Sequence, residues 1–182
     1  MSRSIRVNSL VMLSFDLRSI ESQPVQVSGA LAPDDPVWEE SDVRPGAPLR
    51  VEGRLSRAGP GKFYFHGNVA GMLASECRRC LTGVSAEVEE ELHLIFAEAD
   101  DVDSEDDPDV FRLDDRATEL DLRPAVREEW LVIAPPYLLC KDDCKGLCPN
   151  CGADRNVTAC DCSSATDSRW DALRGAKSGQ SK

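Results

Sequence analysis

Eight cysteines fall in four close pairs: Cys77-x2-Cys80, Cys140-x3-Cys144, Cys148-x2-Cys151 and Cys160-x-Cys162. Six of them lie within 23 residues. A tetrahedral zinc ion takes four thiolates at about 2.3 Å, and two cysteines two residues apart in a tight turn can aim both sulfurs at one ion. Cys148-Pro149-Asn150-Cys151-Gly152 fits such a turn, because Gly152 accepts positive φ and lets backbone approach sulfur; Gly146, ahead of Cys148, does the same. One such pair is a weak signal. Four close pairs predict structural zinc, one or two ions, with Cys77, Cys80, Cys140, Cys144, Cys148, Cys151, Cys160 and Cys162 as candidate ligands.

Other thiol chemistries fit less well. Buried free thiols are common but do not cluster in this way. Disulfides conflict with a reducing compartment, which the lack of an export signal suggests. A redox Cys-x2-Cys normally opens a helix after a strand, whereas Cys77-Arg78-Arg79-Cys80 lies between two strand patterns, although its arginines would lower a thiol pKa. Three assignments of the ligands remain open. The first joins Cys148/Cys151 to Cys160/Cys162, and Cys77/Cys80 to Cys140/Cys144, clipping a hairpin tip to the segment after a helix. The second gives one ion Cys140, Cys144, Cys148 and Cys151. The third is one zinc with spare cysteines.

No catalytic set is apparent. His66 and His93 fall in strand patterns and read as solvent-facing or packed residues. Zinc held by four thiolates has no open position for water, which disfavours hydrolysis. There is no phosphate loop and no dinucleotide fingerprint.

The elements that must position these cysteines can be read from periodicity. Short β-like runs span Ile5 to Phe15 and Val25 to Leu31, and Ala32 to Pro48, rich in Pro and Asp, reads as a loop. Leu49, Val51 and Leu55 alternate with Arg50, Glu52 and Arg54, which marks a strand. Ala58-Gly59-Pro60-Gly61 is a turn. Phe63, Phe65, Val69 and Leu73 then share one parity, interrupted by Gly67 and Gly71, which suggest bulges or bends in a curved sheet. Val84, Ala86, Val88, Leu92, Leu94 and Phe96 form one face of the next strand, so Cys77 to Gly83 becomes the tip of a long hairpin. Pro124 fits a first helical turn with Asp121 as a possible cap. Val126, Trp130 and Ile133 make an apolar stripe, and Pro135-Pro136 ends the helix.

The expected fold is therefore α+β: mainly antiparallel sheet, with barrel-like closure as one form, one principal helix and a C-terminal, zinc ribbon-like module. The β-rich domain spans 1–139, with an acidic loop at about 98–115 and the helix at about 122–134. The zinc module spans 140–173, where Trp170 and Leu173 suggest a short helix, and 174–182 reads as a disordered tail.

The formal net charge is -12, and the run Glu98 to Asp109 supplies eight carboxylates with no basic residue. Such a block usually solvates a loop; the sharper reading is a mimic of nucleic acid that receives a basic protein. An acidic chain repels phosphate overall, so RNA contact needs a local basic patch. The apolar stretch Leu10 to Phe15 is too short for an export signal, and no run approaches membrane-spanning length. The chain reads as soluble and cytoplasmic, with no membrane partner.

The string Cys144-Lys145-Gly146-Leu147-Cys148-Pro149-Asn150-Cys151-Gly152-Ala153-Asp154, then Asn156, Cys160-Asp161-Cys162 and Asp167-Ser168-Arg169-Trp170-Asp171-Ala172-Leu173, resembles the YceD family. Cys77-Arg78-Arg79-Cys80-Leu81 and the pattern from Leu120 to Glu129 resemble it too. The resemblance spans roughly residues 60 to 173 and is most specific in its C-terminal third. It implies a bacterial or plastid protein needed for accumulation of large-subunit ribosomal RNA, and not an enzyme. Family members lacking cysteines of the C-terminal cluster imply that metal stabilises cysteine-rich branches rather than forming a shared active centre.

The expected function is thus ribosome biogenesis: promoting synthesis, processing or stability of large-subunit ribosomal RNA, with that RNA or a basic ribosomal protein as partner. For direct RNA contact, Arg78, Arg79, Lys141, Lys145 and Arg155, near the cysteine turns, are the candidates, set against ordinary solvated charge. An acidic adaptor for a basic ribosomal protein and a thiol redox protein are the alternatives.

Overall fold

The computed structural model describes residues 13–101, 107–162 and 169. The sequence expectations for Ile5–Met12, Trp170, Leu173 and residues 174–182 lie outside them. The chain divides into two compact units: Met1–Ser75 with Val84–Leu138, and Glu76–Gly83 with Leu139–Lys182. The second unit thus takes in the Cys77–Cys80 tip as well as the later cysteines.

The first unit is built on a five-stranded sheet in the order β2-β3-β4-β5-β6. Its strands are β2 (Val25–Leu31), β3 (Leu49–Gly59), β4 (Lys62–Glu76), β5 (Gly83–Ala97) and β6 (Val110–Arg112). Period-2 patterning places Leu49, Val51, Leu55, Phe63, Phe65, Val69, Leu73, Val88, Leu92, Leu94 and Phe96 on the buried face. The sheet begins at β2 and ends at β6, so two edges remain and barrel-like closure does not occur among the described residues. Pro60-Gly61 makes a two-residue turn between β3 and β4, with Gly61 at φ 61°.

Gly67 makes no bulge against β3. Pairing runs unbroken from Arg50↔Ala70 to Arg57↔Phe63, and the register shifts only between Arg57 and Gly59. Gly67 faces Gly53, and a Cβ at Gly53 would lie 2.8 Å from the Phe65 ring and 2.5 Å from the His66 carbonyl oxygen. The glycine pair is a bed for that ring. Gly71 leaves room for Leu49, with the Trp130 ring 3.5 Å from where its Cβ would stand.

Strand β6 pairs in parallel with β5, Ile95 to Val110 and Ala97 to Arg112, so the sheet is mixed. Part of the expected acidic loop at 98–115 is therefore strand, and residues 102–106 of that loop lie outside the described residues. Arg112 donates to the carbonyls of Ala99 and Asp101 and fastens its start.

Helix α2 (Arg123–Ile133) covers the sheet with Ala125, Val126 and Trp130. Its N-cap is Leu122 rather than Asp121, yet the Asp121 carboxylate accepts the Arg123 backbone N–H at 2.9 Å, doing part of a cap's work from one residue earlier. The loop after β2 is pinned to this helix: Trp130 Nε1 donates to the Val43 carbonyl at 2.8 Å, and Arg127 forks onto Asp42 at 2.6 and 3.0 Å. A short helix α1 (Leu17–Ser22), capped by Asp16, and a two-stranded pairing of β1 (Ser14–Asp16) with β7 (Glu119–Asp121) complete the unit.

Candidate metal centres in the cysteine unit

Strands β4 and β5 are joined by Cys77–Thr82. Within the second unit this tip closes on itself: the Cys77 N–H donates to the Thr82 carbonyl at 2.8 Å, and the Leu81 N–H to the Cys77 carbonyl at 2.8 Å. Cys148–Ala153 repeats the pattern. The Cys148 N–H donates to the Ala153 carbonyl at 2.8 Å, and the Gly152 N–H to the Cys148 carbonyl at 2.9 Å. In both, the residue after the second cysteine is left-handed, Leu81 at φ 60° and Gly152 at φ 72°. Each knuckle thereby turns two sulfurs to the same side.

The sulfurs meet as two tetrads, Cys77/Cys80/Cys140/Cys144 and Cys148/Cys151/Cys160/Cys162, each with all ligand atoms within 4.8 Å of one another. These are the sets of the first assignment drawn from the sequence. In the first tetrad Sγ of Cys77 lies 3.7 Å from that of Cys144, and Sγ of Cys80 lies 3.5 Å from that of Cys140. A tetrahedron with arms of about 2.3 Å has edges of about 3.8 Å, so these spacings fit a metal at the centre.

The electrostatics of the donor set agree. Burial pushes the Cys77 thiol up, but backbone N–H groups of Cys140, Arg79 and Cys80 aimed at its sulfur outweigh this and bring it down to about 6. Cys140 is pushed up to about 12 by partial loss of water around its sulfur, although the residue as a whole is exposed, and by its sulfur neighbours. In the second tetrad the N–H groups of Cys151 and Asn150 bring Cys148 down to about 6, and the Cys151 and Cys148 sulfurs push Cys162 up to about 12. One thiolate in each set forms readily and then opposes the ionisation of its companions. A divalent cation among them would remove that opposition.

Residues around the first tetrad hold it in shape. Asn156 Nδ2 donates to Cys144 Sγ at 3.4 Å while its Oδ1 accepts the Lys145 N–H at 2.9 Å. The Cys80 sulfur lies 3.3 Å from the Thr82 hydroxyl. Asn156 belongs to the motif that carried the family resemblance, but neither it nor Thr82 was foreseen as a support.

The five basic candidates, Arg78, Arg79, Lys141, Lys145 and Arg155, all sit exposed in this unit. Three are tied in at the backbone. Arg79 accepts the Leu147 N–H at 2.9 Å, the Arg155 N–H reaches the Gly146 carbonyl at 3.0 Å, and Lys145 bonds to Asn156 as above. The Arg79 guanidinium also donates to the Cys144 carbonyl at 2.9 Å, so that side chain braces the tetrad. Lys141 pairs with Asp143 at 3.8 Å. No helix among the described residues is long and apolar enough to cross a membrane.

No solved structure matches the chain. It is similar to the uncharacterized proteins Rv2926c of Mycobacterium tuberculosis, 33% identical over 109 residues, and ML1660 of Mycobacterium leprae, 31% identical over 110 residues. Each match covers 59% of this chain, and 51% and 49% of the respective relative, so the chain spans about half the length of these proteins. It is also similar to the uncharacterized protein YlbN of Bacillus subtilis, 31% identical over 120 residues, covering 64% of this chain and 66% of that one. Residues 65–177 match the family described as large ribosomal RNA subunit accumulation protein YceD, a span that contains every cysteine of both tetrads together with helix α2; the chain belongs to that family.

Proposed function

We propose that this protein is a cytoplasmic, non-catalytic factor of ribosome biogenesis that promotes synthesis, processing or stability of large-subunit ribosomal RNA, with two zinc ions as structural ligands of its cysteine unit. The observation that carries the reading is the family match over residues 65–177. Zinc is the ion of choice because four thiolates at tetrahedral spacing suit it, and a closed set of four leaves it no site for chemistry. In this reading metal binding supplies folding energy to a unit whose buried apolar side chains are few.

A second reading concerns the partner. Each four-thiolate zinc site adds two negative charges, taking the formal charge from -12 to -16. So acidic a chain gains little from phosphate contacts. The run Glu98 to Asp109 would instead hold a basic ribosomal protein through fast, salt-sensitive contacts. Under direct RNA contact, Arg78, Lys141, Lys145 and Arg155 are the groups that reach phosphate.

Depletion of the protein from its host tests the main reading. Large-subunit ribosomal RNA should fall relative to small-subunit RNA and recover with the wild-type chain; an unchanged ratio sinks the proposal. Affinity capture after nuclease treatment decides the partner. Retention of a basic ribosomal protein, lost when the eight carboxylates of Glu98–Asp109 become Asn, Gln or Ser, supports the adaptor. Loss of all partners with nuclease supports RNA.

A further inference from the structure

The outer face of the sheet carries a ligand set unrelated to the cysteines. Glu91 and His93, two residues apart on β5, point the same way because side chains alternate along a strand. His66 stands across from them on β4, its Nε2 2.6 Å from Glu91 Oε1. The three side chains offer ligand atoms all within 4.8 Å of one another, and all three residues are exposed. His66 holds the Glu91 carboxyl below the usual carboxylate range, so the oxygen donor is an anion.

We propose that His66, Glu91 and His93 form a surface site for a divalent first-row transition ion, separate from both cysteine tetrads. Two imidazoles and one carboxylate are borderline ligands suited to Zn2+, Ni2+ or Cu2+, and three protein ligands leave positions for water or for a group from another molecule. The metal takes the place of the proton shared by His66 and Glu91. With bonds of about 2.0–2.2 Å to nitrogen and oxygen it needs an N···O separation of about 3.0 Å at a right angle and about 3.4 Å at a tetrahedral one, so the pair at 2.6 Å opens by about 0.4–0.8 Å. Tyr64 orients the second imidazole, its hydroxyl lying 2.6 Å from His93 Nδ1. With Nδ1–H donating to that hydroxyl oxygen, Nε2 keeps its lone pair for the ion, and the hydrogen bond fixes both tautomer and ring orientation. The rings of His66 and His93 are stacked, centroids 4.7 Å apart and planes at 14°. Because each lone pair lies in its ring plane, one ring must turn out of the stack to meet the ion, adjusting its contact with Tyr64 or Glu91 as it does so.

The test uses the full chain with the metal it carries when purified, titrated with Ni2+ by calorimetry and by NMR of the imidazole side chains. One added equivalent should bind and broaden His66 and His93 resonances first. His66→Gln and His93→Gln should each weaken that binding at least about tenfold. Cys151→Ser should leave it in place. The exposed positions make both histidine variants safe for the fold, and Glu91→Gln adds a third readout on the same site. Ni2+ binding of equal strength in wild type and both histidine variants, or broadening confined to the cysteine unit, overturns the proposal.

Discussion

The two cysteine tetrads share a knuckle and differ in what surrounds it. In the first, Cys77, Cys80 and Cys144 are buried and only Cys140 is exposed; in the second, only Cys148 is buried. The first has the Asn156 amide on one sulfur and the Thr82 hydroxyl beside another. The second has Gly152 where the first has Leu81, the residue better suited to a left-handed turn. Backbone economy and protection are thus divided between the two sites. The same knuckle stands in a more buried and a more exposed setting, and a metal in the first should be released more slowly than one in the second.

The largest expected effect comes from removing metal altogether. Structural zinc in small modules contributes on the order of 10 kcal/mol of apparent folding energy, so strong chelation should unfold Leu139–Cys162 while the apolar core around Trp130 and Phe65 persists. Graded chelation should empty the exposed tetrad first. Hydrogen exchange should then rise at Cys148–Cys162 amides before it rises at Cys77 and Leu81. Simultaneous loss, or the reverse order, breaks the comparison.

Single ligands come next. Cys77→Ser should release Cys140 and Cys144, and Cys148→Ser should release Cys151 to Cys162 while the Cys77–Thr82 tip keeps its exchange protection. Loosening of that tip by Cys148→Ser would mean that the two sites are coupled rather than distinct. Asn156→Ala should follow, weakening metal retention by about 10–100-fold at the first tetrad through loss of its N–H···S bond. Metal-release kinetics in the two single-tetrad backgrounds would show whether the effect stays at the first site.

Much of this was legible in the residues. Close spacing forced cysteine pairs into turns, and period-2 patterning of β3, β4 and β5 exposed the sheet that carries the first pair. Other parts depended on partners remote in sequence. Gly53 and Gly67 accommodate the Phe65 ring across two strands, whereas a one-dimensional reading sees only Gly67, as a bulge or bend. Parallel β6 is three residues long, too short for any period to register. Arg79 reads as solvated charge until its guanidinium is seen on the Cys144 carbonyl. His66, Glu91 and His93 were each seen on strands, but 25 residues separate the pair that hydrogen-bonds.

The smallest effects concern the left-handed residues, and they separate conformational strain from steric clash. Leu81 holds φ 60° without glycine's freedom, and its side chain is 56% exposed, so little burial is lost on truncation. A non-glycine residue there stores roughly 1 kcal/mol or more, offset in part by the greater entropy glycine brings to the unfolded chain. Leu81→Gly should therefore stabilise the first knuckle by a few tenths to about 1 kcal/mol. At Gly152 an added Cβ would meet nothing within 4 Å, so Gly152→Ala carries only the backbone cost, about 1 kcal/mol. Gly146 has a similar φ of 71°, but its Cβ would stand 2.9 Å from the Arg79 carbonyl oxygen, the acceptor of the Leu147 N–H. Gly146→Ala should thus cost distinctly more than Gly152→Ala and should be felt at the first tetrad. Thermal unfolding of the three metal-loaded variants measures the order. Equal losses at Gly146 and Gly152 would mean that the Arg79–Leu147 contact gives way freely, and that the first tetrad owes its protection to burial of its sulfurs alone.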